Sequence, residues 1–302
     1  MSMEEMVLNV FRKMEPEDFR VLTAIELGMV SHEYTPFEDV LRYSSLPEEE
    51  VRYRISRLNG FKLLRSISRP FEGYALNYYS YDFLALNALV KAGKLEALGK
   101  PVGIGKEADV FDGLAPDGKK VIVKFHRVGR VSFRQTRRIR RYVADRRHIS
   151  WLYQSRIAAE REYEALKTLV KARAKTPRPI AQNRHVVVMS YFSGVELIDV
   201  AYIDEPKLLL KDIIDEVRRI YLEAGLIHGD LSEYNIVVKE DGDFLIIDWP
   251  QFVKRGEPGF EFYLRRDLRN LLNFFRKKFG LKMSLDDVVS YVTGASEGLD
   301  VL

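Results

Sequence analysis

Two aspartates and one asparagine define the chemistry open to this chain. Asp230 sits in His228-Gly229-Asp230-Leu231-Ser232-Glu233-Tyr234-Asn235, and Asp248 follows thirteen positions after Asn235, in Ile246-Ile247-Asp248-Trp249-Pro250. Carboxylate and amide oxygens are hard ligands suited to Mg²⁺, and a further carboxylate takes a proton from an attacking hydroxyl or water. The set suits metal-assisted phosphoryl transfer, with Asn235 and Asp248 on the metal and Asp230 as proton acceptor. The residues between them read as a hairpin. Stretches 236–239 and 244–247 are strand-like, and Glu240-Asp241-Gly242-Asp243 is a turn signal. Such a hairpin holds Asn235 and Asp248 beside each other at its open end.

A phosphate substrate needs a cradle, and one lies upstream. Gly103-Ile104-Gly105-Lys106-Glu107-Ala108-Asp109-Val110-Phe111 reads as a glycine-rich strand turn, whose backbone at Gly103, Gly105 and Lys106 can close over phosphates. After a turn at Ala115-Pro116-Asp117-Gly118, an alternating strand carries Lys124 on the face opposite Val123, placed like the phosphate-binding lysine of a protein kinase. Residues 158–169 have helical periodicity, with Ala159, Tyr163, Leu166 and Leu169 on one stripe. Glu162 borders that stripe and is the first candidate for the acidic partner of Lys124; Glu160 is the second. The apolar run 186–192 reads as a buried strand leading to a hinge. There Met189 walls an adenine pocket, and the Ser190 carbonyl and Phe192 amide meet the adenine edge.

The glycine block, the His-Gly-Asp-Leu-Ser-x-Tyr-Asn loop and Ile-Ile-Asp-Trp-Pro-Gln resemble the RIO family of atypical serine/threonine protein kinases, over residues 97–290. An amino-terminal winged helix marks the second subfamily. The resemblance implies an α+β fold: a winged-helix domain at 1–93, a β-rich kinase N-lobe at 94–190 with a basic flexible loop at 127–150, and a helical C-lobe at 191–302, without an activation segment. It implies ATP and Mg²⁺ as cofactors, phosphate transfer onto Asp248 itself, and a role in maturation of the small ribosomal subunit. Asp267, in the Arg-Asp-Leu-Arg-Asn run, is assigned the anchoring of the catalytic-loop backbone. Ala108 departs from the subfamily pattern, which usually has serine there, so a hydroxyl is lost from the phosphate side.

Residues 1–93 suit a winged helix. Stretches 16–27 and 37–43 read as short helices, and Ser45-Leu46-Pro47-Glu48 reads as a capping box opening a third helix through Leu58. Val51, Ile55 and Leu58 form its apolar stripe, with Arg52, Tyr53 and Arg57 off it. Strands at 61–67 and 74–80 flank a wing at 68–73, and a helix at 81–91 leads onward. Basic residues on the third helix suit nucleic acid. Yet residues 1–93 carry eleven basic and fourteen acidic side chains, so a protein partner is weighed nearly level with RNA.

Positive charge concentrates instead at 127–147, which holds nine arginines and one acid. The whole chain carries only +4, so the rest of it sums to −4. Arginines engage phosphates bidentately, and this segment is the expected contact with ribosomal RNA of the small-subunit precursor, alone or with the winged helix. A solvated linker is the alternative.

The chain has 302 residues, no cysteine, no 18-residue apolar stretch and no signal-like amino terminus, and so suits a soluble cytoplasmic protein without disulfides or thiolate metal sites. Only eighteen positions separate Asp248 from Arg266, with no Ala-Pro-Glu signature, and Gly229 stands where ordinary kinases have arginine. Little is left to dock a peptide in the usual way. The functional classes are therefore a RIO-type kinase or ATPase, a nucleotide-gated RNA-binding assembly factor without a protein substrate, and, less favoured, a small-molecule phosphotransferase.

Overall fold

The computed structural model describes residues 3–104, 107–128, 151–239 and 241–299. Gly105, Lys106 and the basic run from 129 to 147 therefore lie outside the described residues. The chain divides into two units: residues 1–159 with 181–188, and residues 160–180 with 189–302. The fold is α+β.

In the first unit, helices α1 (Met3–Asn9), α2 (Pro16–Gly28), α3 (Phe37–Ser44) and α4 (Glu48–Gly60) precede the wing. A three-stranded sheet is ordered β1 (Thr35–Pro36), β3 (Gly73–Leu76), β2 (Leu64–Ile67), with the wing between β2 and β3. Pro16 starts α2, where its missing N–H costs nothing, and the Glu15 amide donates to Asp18 at 2.9 Å. Val51, Ile55 and Leu58 of α4 are buried as their spacing predicts.

Two local expectations fail. Ser45 does not cap α4: it ends α3 with φ 53°, and Pro47 occupies the α4 N-cap position without a side-chain bond. Nor does a strand run to Ser80. Asn77 accepts from the Ser80 amide and donates its own amide to Ser80 Oγ, so the chain turns there into helix α5 (Tyr78–Lys91), three residues before the predicted start. Aromatic-rich Tyr78-Tyr79-Ser80 has strand-like propensity, but the cap outweighs it.

The basic face of α4 is also spent internally. Arg54 is buried against Glu15, Asp18 and Glu50, Arg57 pairs with Glu15 and Asp18, and Arg52 pairs with Glu48 and Glu72. The third helix thus presents arginines already neutralised by carboxylates, and its first turn is Glu48-Glu49-Glu50.

A five-stranded sheet follows, ordered β4 (Ala97–Ile104), β5 (Ala108–Leu114), β6 (Lys120–His126), β8 (Val186–Ser190), β7 (Pro179–Asn183). Helix α6 (Trp151–Lys171) carries the chain from the first unit to the second.

The second unit is mostly helical. Helices α7 (Pro206–Arg219), α8 (Phe260–Phe279) and α9 (Leu285–Thr293) pack on one another around Ile213, Leu264, Leu268, Leu271, Phe275 and Val288. Each fully buried leucine contributes roughly 1.5–3 kcal/mol. Helix α7 runs on into a π turn, Ile220–Ala224, closed by the Gly225 amide on the Ile220 carbonyl with Gly225 at φ 64°. A small sheet pairs β9 (Val195–Glu196) with β11 (Ile236–Val238) and β12 (Phe244–Ile246), and β10 (Leu226–Ile227) pairs with β13 (Val253–Lys254). Among the described residues no helix is long and apolar enough to cross a membrane.

Candidate active site

The hairpin predicted between Asn235 and Asp248 is present. β11 and β12 pair with Ile236 opposite Ile246 and Val238 opposite Phe244. One step further, the Ile247 amide donates to the Asn235 carbonyl at 2.9 Å, which fixes Asp248 beside Asn235. The Asn235 side-chain amide donates to the Asp230 carbonyl at 2.8 Å, and its backbone amide donates to Ser232 at 3.0 Å. Loop 230–235 is thus a closed turn that brings Asp230, Asn235 and Asp248 together.

Gly229 aims this loop. It has φ 75°, and a Cβ there would lie 2.5 Å from the Gln251 carbonyl oxygen. Both of its peptide groups are held by neighbouring α8 residues. The Gly229 amide donates to Asp267 at 2.6 Å, and the Arg266 guanidinium donates to the Gly229 carbonyl. Asp267 thereby does the anchoring assigned to it. Burial pushes its carboxyl up to about 7, against the amides of Gly229 and Leu231 and the Arg266 charge. Around Asp230 itself, the Gln251 side chain donates at 3.4 Å and Arg266 lies at 3.8 Å.

Asp248 has φ 67°, a left-handed conformation that costs a non-glycine residue free energy and is held by its surroundings. The holders lie on both sides. His228 Nε2 is 2.8 Å from the Ile247 carbonyl, so this nitrogen carries the proton, and its ring lies 4.5 Å from the buried Trp249. The Trp249 amide donates to Glu162 at 3.2 Å, with Glu162 only 1% exposed. Arg161, its neighbour on α6, donates to the carbonyls of Pro250 at 3.0 Å and Phe252 at 2.6 Å. Two consecutive helix residues therefore grip the segment after Asp248. Arg161 carries no sequence signal, being one charged residue among several off the apolar stripe; Gln251 and Arg266 are visible only as motif letters.

Other predicted residues have clear places in the second unit. Met189 is buried in β8. Ser190 is bound to the Arg178 backbone by both its amide and its hydroxyl, and Phe192 lies under the Lys239 ammonium at 4.9 Å.

In the first unit, strand register sets Gly103 opposite Val110 and Val110 opposite Lys124. The glycine strand and the lysine thus share one row across β4, β5 and β6. Lys124 is 7% exposed, flanked by the fully buried Val123 and Phe125.

Arg127 corrects the reading of the basic segment. It is 3% exposed and makes a bidentate pair with Asp82 at 2.6 and 2.9 Å, plus a bond to Asp109 at 2.8 Å. His185, also on Asp82 at 2.6 Å, is pushed down to about 4 by burial. Arg127 is a structural tie between α5, β5 and β6, so the candidate RNA-binding run begins at Arg130. A charged residue in a basic stretch reads as solvated, and its three partners, distant in sequence, left no trace there.

Comparison with known proteins agrees with this arrangement. A RIO domain model matches residues 109–288, and a Rio2 amino-terminal model matches residues 11–92. The chain is 44% identical to the RIO-type serine/threonine-protein kinase Rio2 of Methanocaldococcus jannaschii over 88% of this chain and all of that protein. It is 36% identical to a Dictyostelium discoideum serine/threonine-protein kinase rio2 over 89% of this chain, spanning 51% of that longer protein. A crystal structure of a Chaetomium thermophilum Rio2 kinase–ADP/Mg²⁺–phosphoaspartate complex superposes with a TM-score of 0.81 at 30% identity, covering 98% of this chain and 94% of that one. This chain belongs to the RIO family of serine/threonine protein kinases, with the amino-terminal domain of the Rio2 branch.

Proposed function

We propose that this protein binds ATP and Mg²⁺ and transfers the γ-phosphoryl group, by way of Asp248, to water or a hydroxyl. The observation that carries the reading is the closed turn that brings Asp230, Asn235 and Asp248 together at the open end of the β11–β12 hairpin. Asn235 and Asp248 hold Mg²⁺, which neutralises phosphate charge. The Asp248 carboxylate bonds to the γ-phosphorus as the bond to ADP breaks, the species named in the Chaetomium complex. Asp230 then takes the proton of the incoming water or hydroxyl as the acyl phosphate is cleaved. Lys124 supplies positive charge to the phosphates, and Glu162 is its proposed partner. The Gly103–Lys106 backbone covers the phosphates, and Met189, Ser190 and Phe192 receive the adenine.

Separate roles make separate mutants. Asp230→Asn should abolish phosphate release and spare ATP binding, whereas Asp248→Ala should weaken Mg²⁺-dependent nucleotide binding. Equal loss of nucleotide in both would overturn the division of labour.

The biological setting belongs to the same proposal: cytoplasmic maturation of the small ribosomal subunit, with ribosomal RNA engaged by the arginines at 130–147. The neutralised arginines of α4 favour that run over the third helix as the RNA contact. Crosslinking to precursor ribosomal RNA with and without ATP tests both partner and nucleotide coupling. Absence of crosslinks in either condition would remove the ribosomal assignment.

A further inference from the structure

The loop that carries Asp230 has a second face. Ser232, Glu233 and Tyr234, between Asp230 and Asn235, line a cleft of about 710 Å³ whose opposite wall is α8, through Asn270, Asn273 and Lys277. Positions 270, 273 and 277 repeat at helical spacing and share one face. The volume lies within the roughly 300–1,000 Å³ typical of ligand clefts. The loop wall is fixed: Asn235 closes it onto Ser232 and Asp230, and the Asn270 side chain donates to the Leu231 carbonyl at 3.4 Å. Tyr234 is 56% exposed, a large aromatic presented to solvent beside the catalytic loop.

The cleft lining carries two lysines, Lys277 and Lys278, and one acid, Glu233. The surrounding stretch from 269 to 282 adds Arg269, Arg276 and Lys282, outside the lining, and no acid. Cations near a helix carboxy terminus favour the helix dipole, which accounts for some of them. Lys278 has a second use, donating to the carbonyls of Ile198 at 2.9 Å and Val200 at 2.7 Å at the cleft rim. Lys277 is exposed and lines the cleft. Glu233 is the acid in the lining, so Lys277 and Lys278 leave it net positive.

We propose that this cleft binds an acidic peptide segment that carries the acceptor serine or threonine, which names the substrate class of the phosphotransferase reading above and rests on it. The acidic flank pairs with Lys277 while Tyr234 packs on the peptide. Ser232 in the cleft wall is two positions from Asp230, and an extended peptide advances about 3.3 Å per residue, so the proposal sets the acceptor hydroxyl a few residues from this anchor. Its oxygen bonds to phosphorus, the bond from phosphorus to Asp248 breaks, and the hydroxyl proton passes to Asp230. The chain between Asp248 and Arg266 is too short for a separate peptide platform, and the cleft supplies one against the catalytic loop itself.

The test uses the full chain, MgATP and two peptides identical except that the serine is flanked by glutamates or by lysines. The glutamate peptide should have a kcat/KM higher by roughly tenfold, the scale of one charge pair near a surface. Lys277→Glu should erase the preference and improve the lysine peptide, and Lys277→Gln should fall between. Lys277 is exposed, so both variants keep the fold. ATP consumption and label on Asp248 are followed without peptide. If wild type consumes no ATP, the phosphotransferase reading fails and this proposal with it. If ATP is consumed but neither peptide is phosphorylated, or the preference survives Lys277→Glu, the cleft assignment is overturned while that reading stands. The assignment is equally overturned if Lys277→Glu releases a single-stranded RNA oligonucleotide and leaves peptide phosphorylation unmoved.

Discussion

The amide of Trp249 donates to the buried carboxylate of Glu162 at 3.2 Å, so the residue after Asp248 hangs from helix α6. Arg161 adds its two bonds to Pro250 and Phe252. Helix α6 therefore sets the position of the proposed metal ligand.

Arg161→Leu tests that link. Hydrogen bonds from a charged donor contribute about 1.5–3 kcal/mol each. Releasing the segment lets Asp248 leave its left-handed conformation, so the Mg²⁺ concentration for half-maximal ATP turnover should rise on the order of tenfold. A purely structural arginine would lower the melting temperature and leave the Mg²⁺ requirement unchanged, which would contradict the assignment.

Gly229→Ala should cost about 1–2 kcal/mol from the left-handed backbone alone, before the overlap with the Gln251 carbonyl at 2.5 Å. Displacing Asp230 should lower turnover by on the order of 100-fold, with ATP affinity held. Equilibrium nucleotide binding and single-turnover kinetics separate the two. Unchanged turnover would mean that the loop is not aimed by this residue.

Asp267 makes stability depend on pH. Its folded carboxyl is pushed up to about 7 from the ordinary 3.8, so between those values the folded chain keeps a proton that the unfolded chain has released. This contribution is complete below the lower value and is lost as pH rises through the upper one, by at most about 1.4 kcal/mol per pH unit. The stability of wild type minus that of Asp267→Asn should therefore fall from pH 5 to pH 7.5 in urea unfolding. Parallel profiles would show that burial does not raise this group.

Replacing Arg134, Arg137, Arg138, Arg140 and Arg141 with serine should weaken RNA binding regardless of sequence. The slope of log affinity against log salt should become shallower by roughly 0.7 to 0.9 for each phosphate left unneutralised. An unchanged slope would make that run a solvated linker. Arg127 is left out of the set because its buried pairs with Asp82 and Asp109 hold the first unit together.

The candidate site residues could be picked out because the chemistry proposed for them fixes both type and spacing. Asn235 and Asp248 flank a hairpin whose turn sequence announces it, and Lys124 sits at the expected strand position. What stayed hidden depends on partners far along the chain. Arg127 reads as one of nine arginines until Asp82 and His185 are brought to it, and the α4 arginines read as a nucleic-acid face until Glu15 and Asp18 arrive. Local competition explains the rest: at Asn77 a helix cap overrides strand propensity, and at Ser45 a left-handed C-cap replaces the anticipated N-cap.

The central claim is phosphoryl transfer through Asp248, and the most direct measurement is the chemistry of the label left by γ-³²P-ATP. Wild-type protein quenched after a brief incubation with Mg²⁺ should carry phosphate that hydroxylamine removes, as it does from an acyl phosphate. Asp248→Ala should carry none, and Asp230→Asn should retain the label because nothing takes the proton of the incoming water. Label that resists hydroxylamine, or that persists in Asp248→Ala, would contradict the account.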